Sequence, residues 1–384
     1  MRISDKLVGV SLLALMAGCS TLSSLNPFAK KDVRTQPAAL VELKPTLAVR
    51  SAWKQSVGAA GVYAFSPALV DNSLFVASAG GVIVRLDAAT GREIWRIKAA
   101  SNLTAGVGAA GGVLAVGAAK GVILAYDDAG KLLWQGQASS EILSTPVLSQ
   151  DIVIVRSVDN RISAFDARTG ARKWSVLRTT PALTLRNAPG MVIGAGTVYV
   201  AQPGGKLLAL ALANGAPRWE SVVGEPRGAT ELERVTDIAG TPVLFDKDVC
   251  AVSYQGRVGC FDAATGAARW TKDQSSSVGV AVDQRFVFTA DEKGALAAFS
   301  REGGQSAWKN DKLANRRLST PASWQRAVVV GDYQGYIHFL SREDGAFIGR
   351  VGTDGSPVIS VPVIAGSNLI FQTQSGTVTA LAVE

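Results

Sequence analysis

The chain of 384 residues is nearly half hydrophobic and only 18% charged, which calls for a large core and excludes general disorder. Forty glycines among many Val, Ala and Thr favour short strands joined by tight turns. Lys and Arg outnumber Asp and Glu by 39 to 31, but no basic cluster is interleaved with aromatics, so nucleic acid is not an expected partner.

At the N-terminus, Arg2 and Lys6 precede an apolar run of 12 residues, 7–18. That run is too short to span a bilayer and fits a signal h-region. It ends in LMAGC, where Leu15, Ala17 and Gly18 precede Cys19. The motif resembles a lipobox, which implies cleavage before Cys19 and acylation of that residue. Each buried CH₂ is worth about 0.8 kcal/mol, so a multiply acylated Cys19 would anchor far more firmly than one chain. Ser20, where an Asp would retain the protein at the inner membrane, implies delivery to the outer membrane, facing the periplasm. Residues 1–18 are expected to be a removed signal peptide, and 19–40 a lipidated Cys with a flexible tether rich in Ser, Pro and Lys. Residues 41–384 are left to form the fold.

A phrase of the form apolar-Asp-x-x-Thr-Gly-x-x-x-Trp then recurs about every 42 residues. It ends at Trp95, Trp134, Trp174, Trp219, Trp270 and Trp308, and degenerates where Gly349 replaces the Trp. A second phrase, built on Ser/Thr/Val-Pro, precedes it. Pro67, Pro146, Pro242, Pro321 and Pro362 stand at one constant distance before Leu86, Phe165, Phe261, Leu340 and Leu381. Each unit reads as three short apolar strands and a Trp-bearing fourth, which is a propeller blade. The Asp is suited to bond its own backbone, the Gly to close the hairpin at positive φ, and the Trp to wedge between blades. The last unit lacks a fourth strand, while residues 46–57 carry Trp53 with no strands before it. That N-terminal segment is therefore expected to complete an eighth blade and remove the open edge.

The repeated phrase resembles the Trp-docking motif of quinoprotein-like propellers, and with the lipobox it resembles the BamB family over essentially the whole mature chain. That family implies a non-catalytic lipoprotein of the β-barrel assembly machinery, which binds the POTRA domains of BamA beside other BAM subunits and possible nascent outer-membrane proteins. Two connections depart from the repeat. The stretch between Trp219 and Pro242 is the longest at 23 positions, and its TELERV segment is suited to a helical turn. Long insertions on a rigid scaffold tend to carry function. The connection after Trp174 holds PALTLRNAP, with Leu183 and Leu185 alternating around Thr184 beside Arg186. The family's Leu-x-Leu-Arg loop maps onto Leu183, Leu185 and Arg186, and its acidic segment onto Asp237. The second acidic position is Ala239 here, which removes the paired acidic clamp.

No catalytic, cofactor-binding or metal site is expected. A quinoprotein-type dehydrogenase would need a longer chain, and the vicinal cysteine pair usual in such enzymes is missing here. The single histidine, His338, lies on an expected strand, which removes His-based triads and His-rich metal sites. Cys250 and Cys260 lie on consecutive strands. They either form a disulfide, given Cα atoms within about 7 Å, or sit as two small buried hydrophobes. The alternative to an assembly factor is a generic envelope scaffold lipoprotein, which requires nothing particular at residues 183–186.

Overall fold

The structure, a computed structural model, describes residues 36–149 and 151–384. The expected signal peptide and Cys19 lie outside the described residues. Residues from Ala38 to Glu384 form one compact unit.

Each repeat folds into a four-stranded antiparallel sheet with its strands in chain order. Blades 1 to 7 span residues 68–98, 103–137, 147–177, 191–222, 243–273, 281–310 and 322–352. Blade 8 takes three strands from residues 363–383 and its outer strand from Val49–Ser56, which pairs with Thr377–Val383. The protein is thus an all-β, eight-bladed β-propeller whose N-terminal strand closes the ring. The second strand of each blade is a short apolar run, such as Ile152–Arg156 or Thr197–Ala201, because both of its faces are covered by neighbouring blades.

The repeated phrase builds the seam between blades. In blade 1, the Asp87 carboxylate accepts hydrogen bonds from the Thr90 N–H at 2.8 Å and the Thr90 hydroxyl at 2.7 Å. The tie therefore reaches three residues on. At Asp166 the same contacts, led by the Thr169 amide, hold the carboxyl down at about 2. Each Trp then donates its indole N–H to a carbonyl in the next blade's turn: Trp53 to Ala88, Trp134 to Ala167, Trp270 to Arg301. Gly170 serves twice. Its φ of +72° suits the turn, and a Cβ there would lie 2.6 Å from the Trp134 ring that packs on it. A β-bulge just before each Trp, as between Ala164 and Phe165 on the partner strand, re-aims the indole. This bulge left no trace in the spacing. The Pro phrase ties the inner ends of the blades: the Ser66 hydroxyl accepts from the Val361 N–H and the Thr320 hydroxyl from the Gly279 N–H.

The seam between blades 7 and 8, where Gly349 replaces the Trp, is built differently. Residues 38–48 form a strap along the outside of blade 7. Thr46 and Leu47 donate to the Ile348 carbonyl, and a Cβ on Gly349 would lie 3.2 Å from the Leu47 carbonyl oxygen. An indole there would collide with the strap. Trp324, the tryptophan outside the repeat register, crosses this seam instead and donates to the Ser367 carbonyl at 3.1 Å.

The strap is held by a buried polar cluster. Arg316 donates to Asp332 at 2.6 Å and to the Ala38 carbonyl at 2.8 Å, while Arg350 donates to the Val41 carbonyl at 3.0 Å. His338, fully buried on its strand, shares its Nε2 with Asp332 at 2.8 Å and presents Nδ1 to the Arg350 guanidinium at 3.4 Å. Facing a donor, Nδ1 must accept, so the ring is the neutral Nε2–H tautomer. Burial pushes the His338 pKa below 6.5, and nearby Arg350 and Arg316 add to that, against the pull of Asp332. The unfolded chain takes up this proton near pH 6.5 and the folded chain does not. This contribution to stability is therefore complete above that pH and declines as pH falls through it. Scanning calorimetry between pH 7.5 and 5 should show a falling Tm that is flatter in His338→Gln; parallel slopes would refute this assignment.

Cys250 and Cys260 oppose each other on neighbouring strands of blade 5, with Cα atoms 4.1 Å apart, and are bonded as a disulfide. Of the two readings open from sequence, the crosslink is the one the structure contains. Both cysteines are also fully buried.

Candidate functional site

Strand direction alternates within a blade. All connections from an outer strand to the next inner strand therefore lie on one face of the ring, with the turns between second and third strands. Both connections singled out from sequence emerge on this face, side by side: residues 178–190 between blades 3 and 4, and 223–242 between blades 4 and 5. They rim a central cavity of about 750 Å³, whose lining includes Arg186 and Asn187.

The structure brings the four expected residues together but gives them different roles. Leu183 is 47% exposed at the crest of the first loop. Leu185 is only half-buried, so the alternation read from sequence does not place both leucines in solvent. Arg186 projects outward, with its side chain 74% exposed and paired to Glu141 at 2.9 Å. Asp237 is only 3% exposed. Its carboxylate accepts from the Leu185 N–H at 2.6 Å and from the Gly204 N–H at 2.9 Å. Asp237 therefore lies beneath the loop and shapes it from below, with both oxygens in use. Ala239, at the second acidic position of the family motif, is buried and offers its carbonyl to the Asn187 side chain at 3.3 Å.

The insertion forms the single turn its TELERV segment suggested, with the Arg234 N–H donating to the Thr230 carbonyl at 3.2 Å. The Glu233 carboxylate accepts from the Ala229 and Thr230 N–H groups, and the Thr230 hydroxyl accepts from the Glu233 N–H. This reciprocal arrangement is a capping box, and its amides hold the Glu233 carboxyl below its usual range. The turn presents Leu232, 72% exposed, and its neighbours Glu231 and Arg234 share a recess with Leu183.

Three contributors were not singled out from sequence: Glu141, Leu232 and Arg156. Arg156 ends an otherwise apolar strand, and that cation after IVIV was the available signal. It is 6% exposed and donates to Asn160 Oδ1 at 3.1 Å and the Ala201 carbonyl at 2.9 Å. Burial lowers its pKa to about 10, opposed by the charge of nearby Asp237.

A family model described as outer membrane protein assembly factor BamB matches residues 49–103 and 79–310. The outer membrane protein assembly factor BamB of Burkholderia pseudomallei is 44% identical over 349 residues, covering 91% of this chain and 92% of that one. The chain belongs to the BamB family. BamB of Bordetella pertussis is 40% identical over 364 residues, covering 94% of each chain. The crystal structure of BamB from Moraxella catarrhalis superposes with a TM-score of 0.80 at 27% identity, over 87% of this chain and all of that one. A quinohemoprotein alcohol dehydrogenase from Comamonas testosteroni reaches a TM-score of 0.71 at 15% identity, covering 88% of this chain and 77% of that chain, which reflects a shared fold alone. In this member of the BamB family the docking-motif tryptophans are seam residues, each committed to a carbonyl of the adjacent blade.

Proposed function

We propose that this BamB-family chain is a non-catalytic lipoprotein of the outer membrane. In this reading Cys19 carries the lipid anchor on the periplasmic side. The loop of Leu183, Leu185 and Arg186 docks on the POTRA domains of BamA, within the BAM complex, and so assists folding and insertion of β-barrel proteins. The observation that carries the reading is the loop's pre-organisation: the buried Asp237 carboxylate fixes the Leu185 amide from below, so Leu183 and Arg186 are presented without a large ordering cost. Asp237 belongs to the site as the residue that holds the loop. A generic envelope scaffold has no need of such a buried brace.

The test is a pull-down of BamA POTRA domains by the parent protein and by a Leu183→Ala, Leu185→Ala, Arg186→Ala variant whose circular dichroism matches the parent. The variant is expected to lose binding by at least about a hundredfold, since each anchor of this type contributes on the order of 1–2 kcal/mol. Undiminished capture would move the interface elsewhere on the ring, and no capture by the parent would favour the scaffold reading.

A further inference from the structure

Between the docking loop and blade 3 lies a cavity of about 230 Å³ to which the docking reading gives no role. Arg156 lines it. The contrast with Arg316, the other deeply buried arginine described above, is informative. Arg316 has the Asp332 carboxylate at 2.6 Å. Arg156 bonds only neutral acceptors, the Asn160 amide oxygen and the Ala201 carbonyl, and makes no ion pair among the described residues. Asp237 lines the same cavity and its charge is felt at Arg156, but it makes no contact with the guanidinium and both of its oxygens are committed to backbone amides. A buried cation without a contacting counter-ion is costly, and a strongly perturbed ionisable group that lines a cleft marks a candidate ligand site.

The surroundings define what that ligand is. Leu185 and Val158 supply apolar walls, and Arg186 provides a second guanidinium in the same lining. The pair of Arg186 with Glu141 is exposed and cheap to rearrange. The lining holds two guanidinia, Arg156 and Arg186, against one carboxylate, Asp237, so once the exposed Glu141 pair rearranges the site suits a singly charged group better than a phosphate dianion. We propose that this cavity receives one carboxylate side chain, an Asp or Glu on an exposed turn of the docking partner, which pairs with Arg156 inside and Arg186 at the mouth. The inference rests on the docking reading and specifies its chemistry: Leu185 and Val158 wall a charge pair that becomes desolvated on binding.

The test measures affinity of BamA POTRA domains for the full lipidated chain in detergent, for the parent, Arg156→Met and Arg156→Lys. The exposed Asp and Glu residues of the POTRA domains are changed singly to Asn or Gln and measured against each. Arg156→Met is expected to weaken binding at least about tenfold, and Arg156→Lys, which keeps the charge, clearly less. One acid-to-amide change should cause a similar loss against the parent and no further loss against Arg156→Met. A merely structural Arg156 would weaken binding in both variants with no partner acid coupled to it, and that result overturns the proposal. So does unchanged affinity in Arg156→Met. Failure of the parent itself to bind would instead bring down the docking reading, and this inference with it.

Discussion

Asp237→Ala is expected to abolish partner docking through loss of the loop geometry that its buried carboxylate holds. The substitution strands the Leu185 and Gly204 amides, which now share the carboxylate at 2.6 and 2.9 Å. Each unsatisfied buried group costs about 1–3 kcal/mol. It also removes the negative charge that opposes the desolvation of Arg156. Arg156 and Asp237 do not touch, so this adds to the loss without the full cost of breaking a contacting buried pair. Urea unfolding should show the midpoint fall with an unchanged slope, and hydrogen exchange at the Leu185 amide should accelerate. Asp237→Asn keeps one acceptor oxygen and should fall between the two. If Asp237→Ala left both the midpoint and the Leu185 exchange rate at parent values while binding was lost, Asp237 would be a contact residue after all.

The second large effect is expected at the strap. Arg316 and Asp332 are both buried, and Arg316 also holds the Ala38 carbonyl and the Gln334 side chain. Arg316→Met leaves Asp332 buried with His338 as its remaining side-chain partner. Breaking a buried pair in this way costs about 3–5 kcal/mol. The loss should be local first. Amides of residues 38–47 should exchange faster while those of Val49–Ser56, secured by pairing with Thr377–Val383, stay protected. Equal acceleration in both segments would mean that the strap and the closing strand form one cooperative unit and that the cluster has no separate role.

The His338 and Arg316 results bear on the same cluster from two sides. His338 is neutral because burial and two guanidinia oppose its charge, so acid weakens the cluster that holds the strap. Asp332 responds only at lower pH, its carboxyl held below its usual range by contacts from His338, the Tyr336 amide and Arg316 against the cost of burial.

Blade number, strand order and closure were legible from sequence because they rest on local, periodic signals. The offset from Pro to the next apolar residue repeats around the ring, and the unpaired Trp53 segment at one end matches the missing strand at the other. The seam tryptophans were legible for the same reason. What the repeat could not show was how its exceptions are compensated. Gly349 looked like decay of the motif, yet the strap occupies that position and Trp324 bridges the seam from another strand.

The candidate site divides along the same line. Leu183, Leu185, Arg186 and Asp237 could be named from their motif and from the connections that break the repeat. Their roles depend on contacts between segments 52 residues apart in the chain. Loops have no period from which side-chain direction can be read, and a carboxylate is buried or exposed according to what the adjacent blade places over it. For that reason the sequence by itself determined the ring, its seams and the two loops that interrupt it. Only the tertiary structure decided that Asp237 braces the docking loop from beneath, and that Arg156 lies buried beside it without a contacting counter-ion.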